Sequence, residues 1–168
     1  MEVYDSVKAA LHNVCRPWQV ALVSTSSKVM GKEKDNIIVL AWHTPLSHEP
    51  FLYGIAIGKT RFSCQLVRDA GCFVVNFIGP EHEKDAWFCG THSGRTSDKF
   101  SATRFTREDS ERLDSVRIKE AIAHLECEVV AEHEVGDHIL FVGKVVHAGL
   151  KEQGDRLISF GGDRFGKA

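Results

Sequence analysis

Between Gly136 and Leu150 the chain reads GDHILFVGKVVHAGL. The Gly-Asp pair is a tight-turn signal, and the run after it has a period of two, not of a helix. Ile139, Phe141, Gly143 and Val145 fall on one face, and Leu140, Val142, Lys144 and Val146 on the other. Both faces are largely apolar, so something must cover each side. Upstream of the turn, HLECEVVAEH (His124 to His133) is a second strand, and the pair makes a hairpin.

Further strands lie upstream. WQVALVST (Trp18 to Thr25) follows Pro17 and precedes the lysine-rich GKEKD (Gly31 to Asp35), which reads as an exposed hairpin tip. NIIVLAW (Asn36 to Trp42), FLYGIAI (Phe51 to Ile57) and CFVVNFI (Cys72 to Ile78) are short apolar runs bounded by Pro, Gly and polar residues. Helical spacing is confined to Val3–Val14, to Phe62, Leu66 and Val67 ahead of Gly71, and to Glu83–Phe88. The polar Ser101–Ser115 stretch reads as a surface excursion. Strands without regularly intervening helices argue against a doubly wound parallel sheet and favour a closed antiparallel barrel with a few peripheral helices.

The chain has 168 residues, the size of one domain, 1–168. A chain of this mass can bury about 70% of its unfolded surface, and 43% hydrophobic with 26% charged residues is the composition of a soluble globular protein. Twenty-one basic and 23 acidic residues leave a net charge of -2 with no block of like charge. Nucleic acid and anionic membranes are therefore not expected partners. The start, MEVYDSVKAALHNV, has neither the basic opening nor the apolar run of a secretion signal, and a cytoplasmic protein is expected. Five widely spaced cysteines without C-x-x-C read as reduced thiols. The nine histidines are scattered without ligand spacing, so no metal is expected.

Several motifs fail. Gly54-Ile-Ala-Ile-Gly58-Lys59-Thr60 ends like a P-loop, but only three residues, all strand formers, separate its glycines. His133-Glu134 is followed by Asp137 where a zinc protease needs histidine, and no G-x-G-x-x-G or G-x-S-x-G follows a strand. What remains is a set of polar residues at strand ends: Asn36, Trp42-His43-Thr44, Lys59-Thr60-Arg61 with Ser63, Ser93-Gly94-Arg95 with Asp98-Lys99-Phe100, and Gly136-Asp137-His138. Singly, Arg61 reads as a solvated cation, Trp42 as a core aromatic and Asp137 as a turn residue.

Taken together they resemble a known arrangement. N-x(5)-W-H-T-P-L-S (Asn36–Ser47), K-T-R-F-S (Lys59–Ser63), S-G-R-T-S-D-K-F (Ser93–Phe100), L-E-C-E-V (Leu125–Val129), G-D-H-I-L-F-V-G-K-V (Gly136–Val145) and G-G-D-R-F (Gly161–Phe165) occur in the order found in the flavin reductase-like, FMN-binding split-barrel family. Within that family the sequence is most similar to flavoredoxin-type proteins. The resemblance implies a mainly β fold, a six-stranded antiparallel split β-barrel of Greek-key type, a homodimer, and one FMN per subunit near the dimer interface. It also implies oxidoreductase activity. NADH or NADPH would serve as transient electron donor, and free flavin, a ferric complex or a redox protein as acceptor; the alternative is an FMN electron carrier without turnover of its own.

FMN makes two demands. Its phosphate needs cations and hydroxyls converging from a loop, which Lys59, Thr60, Arg61 and Ser63 offer ahead of a predicted helix N-terminus. Its ring needs apolar contact on the faces and donors at the oxygen-bearing edge, which Ala41, Trp42, His43 and Thr44 can offer on leaving a strand. The resemblance places Asn36, Trp42, Lys99 and His138 around the cofactor, with Lys99 near the ring edge that becomes negative on reduction. Phe165 is expected to stack on or shield the ring, where many relatives carry tyrosine, and Phe160 is a weaker candidate. Asn76 reads as a structural polar group and Cys89 as a packed thiol.

Overall fold

The computed structural model describes residues 14–168; the helix expected over Val3–Val14 lies, except for its last residue, outside that range. The chain is mainly β, as expected. The elements in order are β1 (Trp18–Gln19), β2 (Ala21–Val29), β3 (Lys32–Leu40), β4 (His43–Ser47), β5 (Leu52–Gly58), α1 (Phe62–Ala70), β6 (Cys72–Phe77), α2 (Glu83–Thr91), α3 (Lys99–Ala102), β7 (Arg107–Asp109), β8 (Val116–Ile118), β9 (Ala123–Val135), β10 (His138–Leu150), β11 (Leu157–Gly161) and β12 (Arg164–Lys167).

The principal sheet is antiparallel throughout, in the order β3-β2-β6-β9-β10-β5-β4. Among the described residues it counts seven strands: six of six residues or more, and the five-residue β4 at one edge. Its two edge strands, β3 and β4, are separated in sequence only by Ala41 and Trp42. The sheet therefore has to curl until its edges approach each other; next to that connection the Ala56 amide donates to the Trp42 carbonyl at 2.9 Å, continuing the β4–β5 ladder up to Trp42.

Alternation along the strands sorts side chains into two cores. Ala21 and Val23 of β2 point inward with Ile55 and Ile57 of β5, Phe73 and Val75 of β6, and Phe141 of β10; α1 adds Cys64 and Val67. Val20 and Leu22 point outward with Ile37, and are covered by Ala86 and Cys89 of α2 and by Phe105, Ile118 and Leu157. The period of two in the sequence is the cause of both layers. On β10 the face of Ile139 and Phe141 is buried, whereas Leu140, Val142 and Val146 on the other face are half-buried.

Gly143 sits mid-strand for a steric reason. A Cβ there would lie 2.6 Å from both Cys127 Cβ and Phe73 Cζ, so Phe73 occupies the volume a side chain would need. Register shifts in the β9–β10 pair fall between Val142 and Gly143 and between Val145 and His147. Two further readings change. The first hairpin turns at Met30-Gly31, whose φ values of 52° and 79° are left-handed, and Lys32–Asp35 already belong to β3. Ser101–Ser115 contains part of α3 and all of β7, and buries Phe105 in the outer core.

Candidate functional site

Where the sheet edges meet, a cavity of about 610 Å³ opens against α1 and the C-terminal end of α2, within the ~300–1,000 Å³ of small-molecule sites. Its walls are the end of β3 through Trp42, Ala56 and Gly58 of β5, Thr60 to Ser63, Cys89 to Arg95, Lys99 and His138. Of the sequence candidates it brings together Ala41, Trp42, Thr60, Arg61, Ser63, Lys99 and His138. Among the described residues that line it none is a carboxylate, while Arg61, Arg95 and Lys99 are cations.

Each of these side chains is placed by its element. Arg61 is the N-cap of α1, in extended conformation, and gives the helix no side-chain cap hydrogen bond; the Cys64 amide donates to the Arg61 carbonyl at 3.0 Å, while the Phe62 and Ser63 amides ahead of it receive no side-chain cap. Two residues on, Ser63 Oγ accepts from Asn36 Nδ2 at 2.7 Å. That bond fills an acceptor position of the hydroxyl and leaves its proton to donate. Asn36 Oδ1 is buried without a partner, against Gly94, where a Cβ would come within 2.0 Å of it. Asn36 thus stands one layer behind the cavity and sets Ser63.

Lys99 is only 4% exposed. Its ammonium donates to Ile37 O at 2.5 Å and to Cys89 O at 2.7 Å, tying β3 to the end of α2, and the Asp98 side chain caps its short helix. Burial draws its pKa down, and Arg61 nearby adds to that. Trp42, 40% exposed, lies edge-on to Trp18 (centroids 6.2 Å apart) and against the His138 ring (4.7 Å). The Asp137 carboxylate holds His138 Nδ1 at 2.6 Å. Arg95 lies over the Phe62 ring, 5.3 Å from its centroid. Cys89 is buried, and burial pushes its thiol up to about 12, so it stays protonated at neutral pH.

The remaining candidates lie elsewhere. Lys59 pairs with Glu134, Thr44 is exposed on the edge strand β4 and bonds Pro45 O at 3.2 Å, and Phe165 packs on the outer core with Trp87 (centroids 6.1 Å). Phe160 is exposed. Gly94 and Arg95 of the Ser93–Phe100 motif line the cavity together with Phe62 of the Lys59–Ser63 motif, three residues to which the sequence assigns no individual role.

His43 faces away from the cavity. A carbonyl can only accept, so Nε2 carries the proton toward Gln19 O (3.1 Å) and Nδ1 accepts from Tyr53 Oη at 2.7 Å. Burial lowers its pKa below 6.5. The unfolded chain then binds the extra proton first, and stability falls as pH drops from about 6.5 through the folded pKa. Urea midpoints at pH 7.5 and 5.0 should differ less in His43→Gln than in the parent; equal differences would place the acid sensitivity elsewhere.

Residues 15–167 match the family model described as the flavin reductase like domain. The chain belongs to this family. An uncharacterized protein of Archaeoglobus fulgidus is 43% identical over 119 residues, covering 71% of this chain and 67% of that protein. Among solved structures, the NADH:FAD oxidoreductase of Streptomyces globisporus C-1027 superposes with a TM-score of 0.85 at 25% identity, covering 100% of this chain and 97% of that one. An FMN-binding protein from Thermus thermophilus gives 0.83 at 26%, covering 99% and 92%.

Proposed function

We propose that the cavity holds FMN and that the chain is an NAD(P)H-dependent flavin reductase. The observation that carries this is the cavity itself: free of carboxylates, cationic at one end where Arg61 and Ser63 open α1, and walled by Trp42 at the seam of the sheet. The likeness to proteins named FMN-binding protein and NADH:FAD oxidoreductase supports it. FMN is favoured over FAD because the cations and hydroxyls at α1, Arg61, Thr60 and Ser63, suit a single monophosphate, and no second nucleotide loop is evident in the sequence.

The residues fit such a group. Arg61, Thr60, Ser63 and the first amides of α1 would hold the phosphate, where the helix dipole and a charge-assisted guanidinium contact both favour an anion. Trp42, backed by Trp18 and His138, would supply an aromatic wall, and the Ala41–Trp42 backbone would serve the edge of the ring. The chemistry the cofactor supplies when bound is hydride acceptance from a reduced nicotinamide and electron delivery to a second acceptor, such as free flavin, a ferric complex or a redox protein. Lys99, its charge fixed by two carbonyls, would favour negative charge accumulating beside it. The half-buried outer face of β10 is where a second copy, the expected homodimer, would pack.

Purified protein incubated with FMN should show a bound-flavin absorption spectrum, bleach on anaerobic addition of NADH or NADPH, and oxidise the nucleotide steadily when free FMN is supplied. Arg61→Ala should weaken FMN by about 1.5–3 kcal/mol, roughly tenfold to over a hundredfold, and leave riboflavin affinity nearly unchanged. Equal loss for both ligands would remove Arg61 from the phosphate. Retention of FAD alone, or of no flavin, would overturn the assignment; bleaching without steady turnover would reduce it to an electron carrier.

A further inference from the structure

At the other end of β9 and β10 lies a second cluster. His124 and Glu126 share one face of β9, and His147 of β10 pairs directly with Glu126. A bulge makes this so. Regular pairing onward from Val145 opposite Cys127 would set Val146 opposite Glu126 and turn His147 to the other face; the register shift between Val145 and His147 re-aims the imidazole. Gly149, opposite His124, gives that ring room, since a Cβ there would lie 2.3 Å from His124 Cε1. The ligand atoms of His124, Glu126 and His147 all fall within 4.8 Å of one another, and His124 Nε2 is 4.0 Å from Glu126 Oε1.

The hydrogen bonds around Glu126 and His124 suit a cation. Glu126 is fully buried, its two oxygens accepting the amides of Glu111 and Arg112 at 2.8 Å each, and a carboxylate has about four acceptor positions, so capacity remains. Arg117 Nη1 approaches His124 Nε2 at 3.2 Å. A guanidinium only donates, so this nitrogen carries a lone pair and the ring is neutral, the form in which imidazole binds metals. Arg117 also meets Glu108, Glu111 and Glu126. One cation against three carboxylates leaves two negative charges in excess.

We propose that His124, Glu126 and His147 bind a divalent transition-metal ion, with Zn²⁺ as the ion their chemistry suits. Two imidazoles and a carboxylate are a zinc ligand set with a fourth position left over, whereas calcium and magnesium take oxygen ligands. Bond lengths of about 2.0–2.2 Å put tetrahedral ligand atoms roughly 3.4 Å apart, so the 4.0 Å pair needs only a small closure. Arg117 gives up one hydrogen bond and keeps Glu108 and Glu111. Along β10 the site is roughly 30 Å from His138, outside the flavin cavity. Its effect is on the fold, fastening the 110–112 segment and β9 to β10. No sequence spacing announces it, because strand pairing and a bulge, not a helical repeat, bring the ligands together.

The test uses the purified full-length chain, stripped with chelator and titrated with Zn²⁺ by calorimetry and with Co²⁺ by visible absorption. One Zn²⁺ per chain is expected, with a raised thermal midpoint and cobalt ligand-field bands stronger than those of the hydrated ion. His147→Gln should weaken binding about tenfold or more with unchanged metal-free stability, while His133→Gln, exposed farther along β9, should bind as the parent does. Undiminished binding in His147→Gln, or no saturable binding in the parent, would overturn the site. Should His147→Gln not fold, the parent's cobalt spectrum decides: bands of the hydrated ion alone would also overturn it.

Discussion

Gly143→Ala should lower the unfolding free energy by about 2–3 kcal/mol, at the upper end of overpacking effects. The added methyl meets Cys127 Cβ and Phe73 Cζ at 2.6 Å, and both residues are fully buried. Neither can step aside, because Phe73 and Cys127 belong to the buried inner core with Phe141 and Ile55. The opposing gain from replacing a flexible glycine is only about 0.4–1 kcal/mol. Urea unfolding should show a lower midpoint at unchanged slope. A change under about 0.5 kcal/mol would mean that the inner core has slack at this position.

The second large effect is expected at Lys99. Methionine matches the stem but abandons the Ile37 and Cys89 carbonyls, and each hydrogen bond lost from a charged group in a buried setting is worth about 1.5–3 kcal/mol. Part of this is offset because the ammonium itself no longer has to be buried, so Lys99→Met should cost about 2–4 kcal/mol and lower the thermal midpoint by roughly 5–15 °C for a chain of this size. An unchanged midpoint would show that the two carbonyls do not depend on the ammonium. In the FMN-loaded protein the same change should lower the flavin midpoint potential by a few tens of millivolts, where about 30 mV corresponds to 1.4 kcal/mol for a two-electron couple. Altered stability with an unaltered potential would restrict Lys99 to a structural role.

Most strands are legible because each is a short apolar, β-branched run bounded by turn signals, with β10 adding a period of two, and α1 is legible because Leu66 and Val67 sit at helical spacing ahead of Gly71, which ends the helix at φ 66° with its amide on Val67 O. The first hairpin is displaced from where its lysines suggest, for a physical reason. Lysines mark exposure, and an exposed edge strand such as β3 is as hydrophilic as a turn; the backbone reverses instead at Met30-Gly31. Ser101–Ser115 is hard to read because its elements are too short to show a period, and Phe105 is its one buried apolar residue.

At the cavity, residue type could be read but environment could not. Arg61 and Ser63 were candidates by chemistry. Lys99 on its own reads as a solvated lysine, and only the fold reveals that two carbonyls from distant segments enclose it. Asn36 behaves similarly: its place behind Ser63 depends on α1 docking against β3, which no local pattern encodes. The grouping of these residues came from the family resemblance, whereas the His124–Glu126–His147 cluster depends on a bulge that the sequence does not mark.

The seam at Ala41–Trp42 couples two properties usually tuned apart. These two residues join the sheet's first and last strands and also form a wall of the cavity. Spreading of the barrel at this point would pull the aromatic wall away from Arg61 and Ser63, and a ligand filling the cavity would clamp the edges together. With a ligand in the cavity, occupancy and sheet closure would form one mechanical coordinate, and variation that loosens one of them would loosen the other.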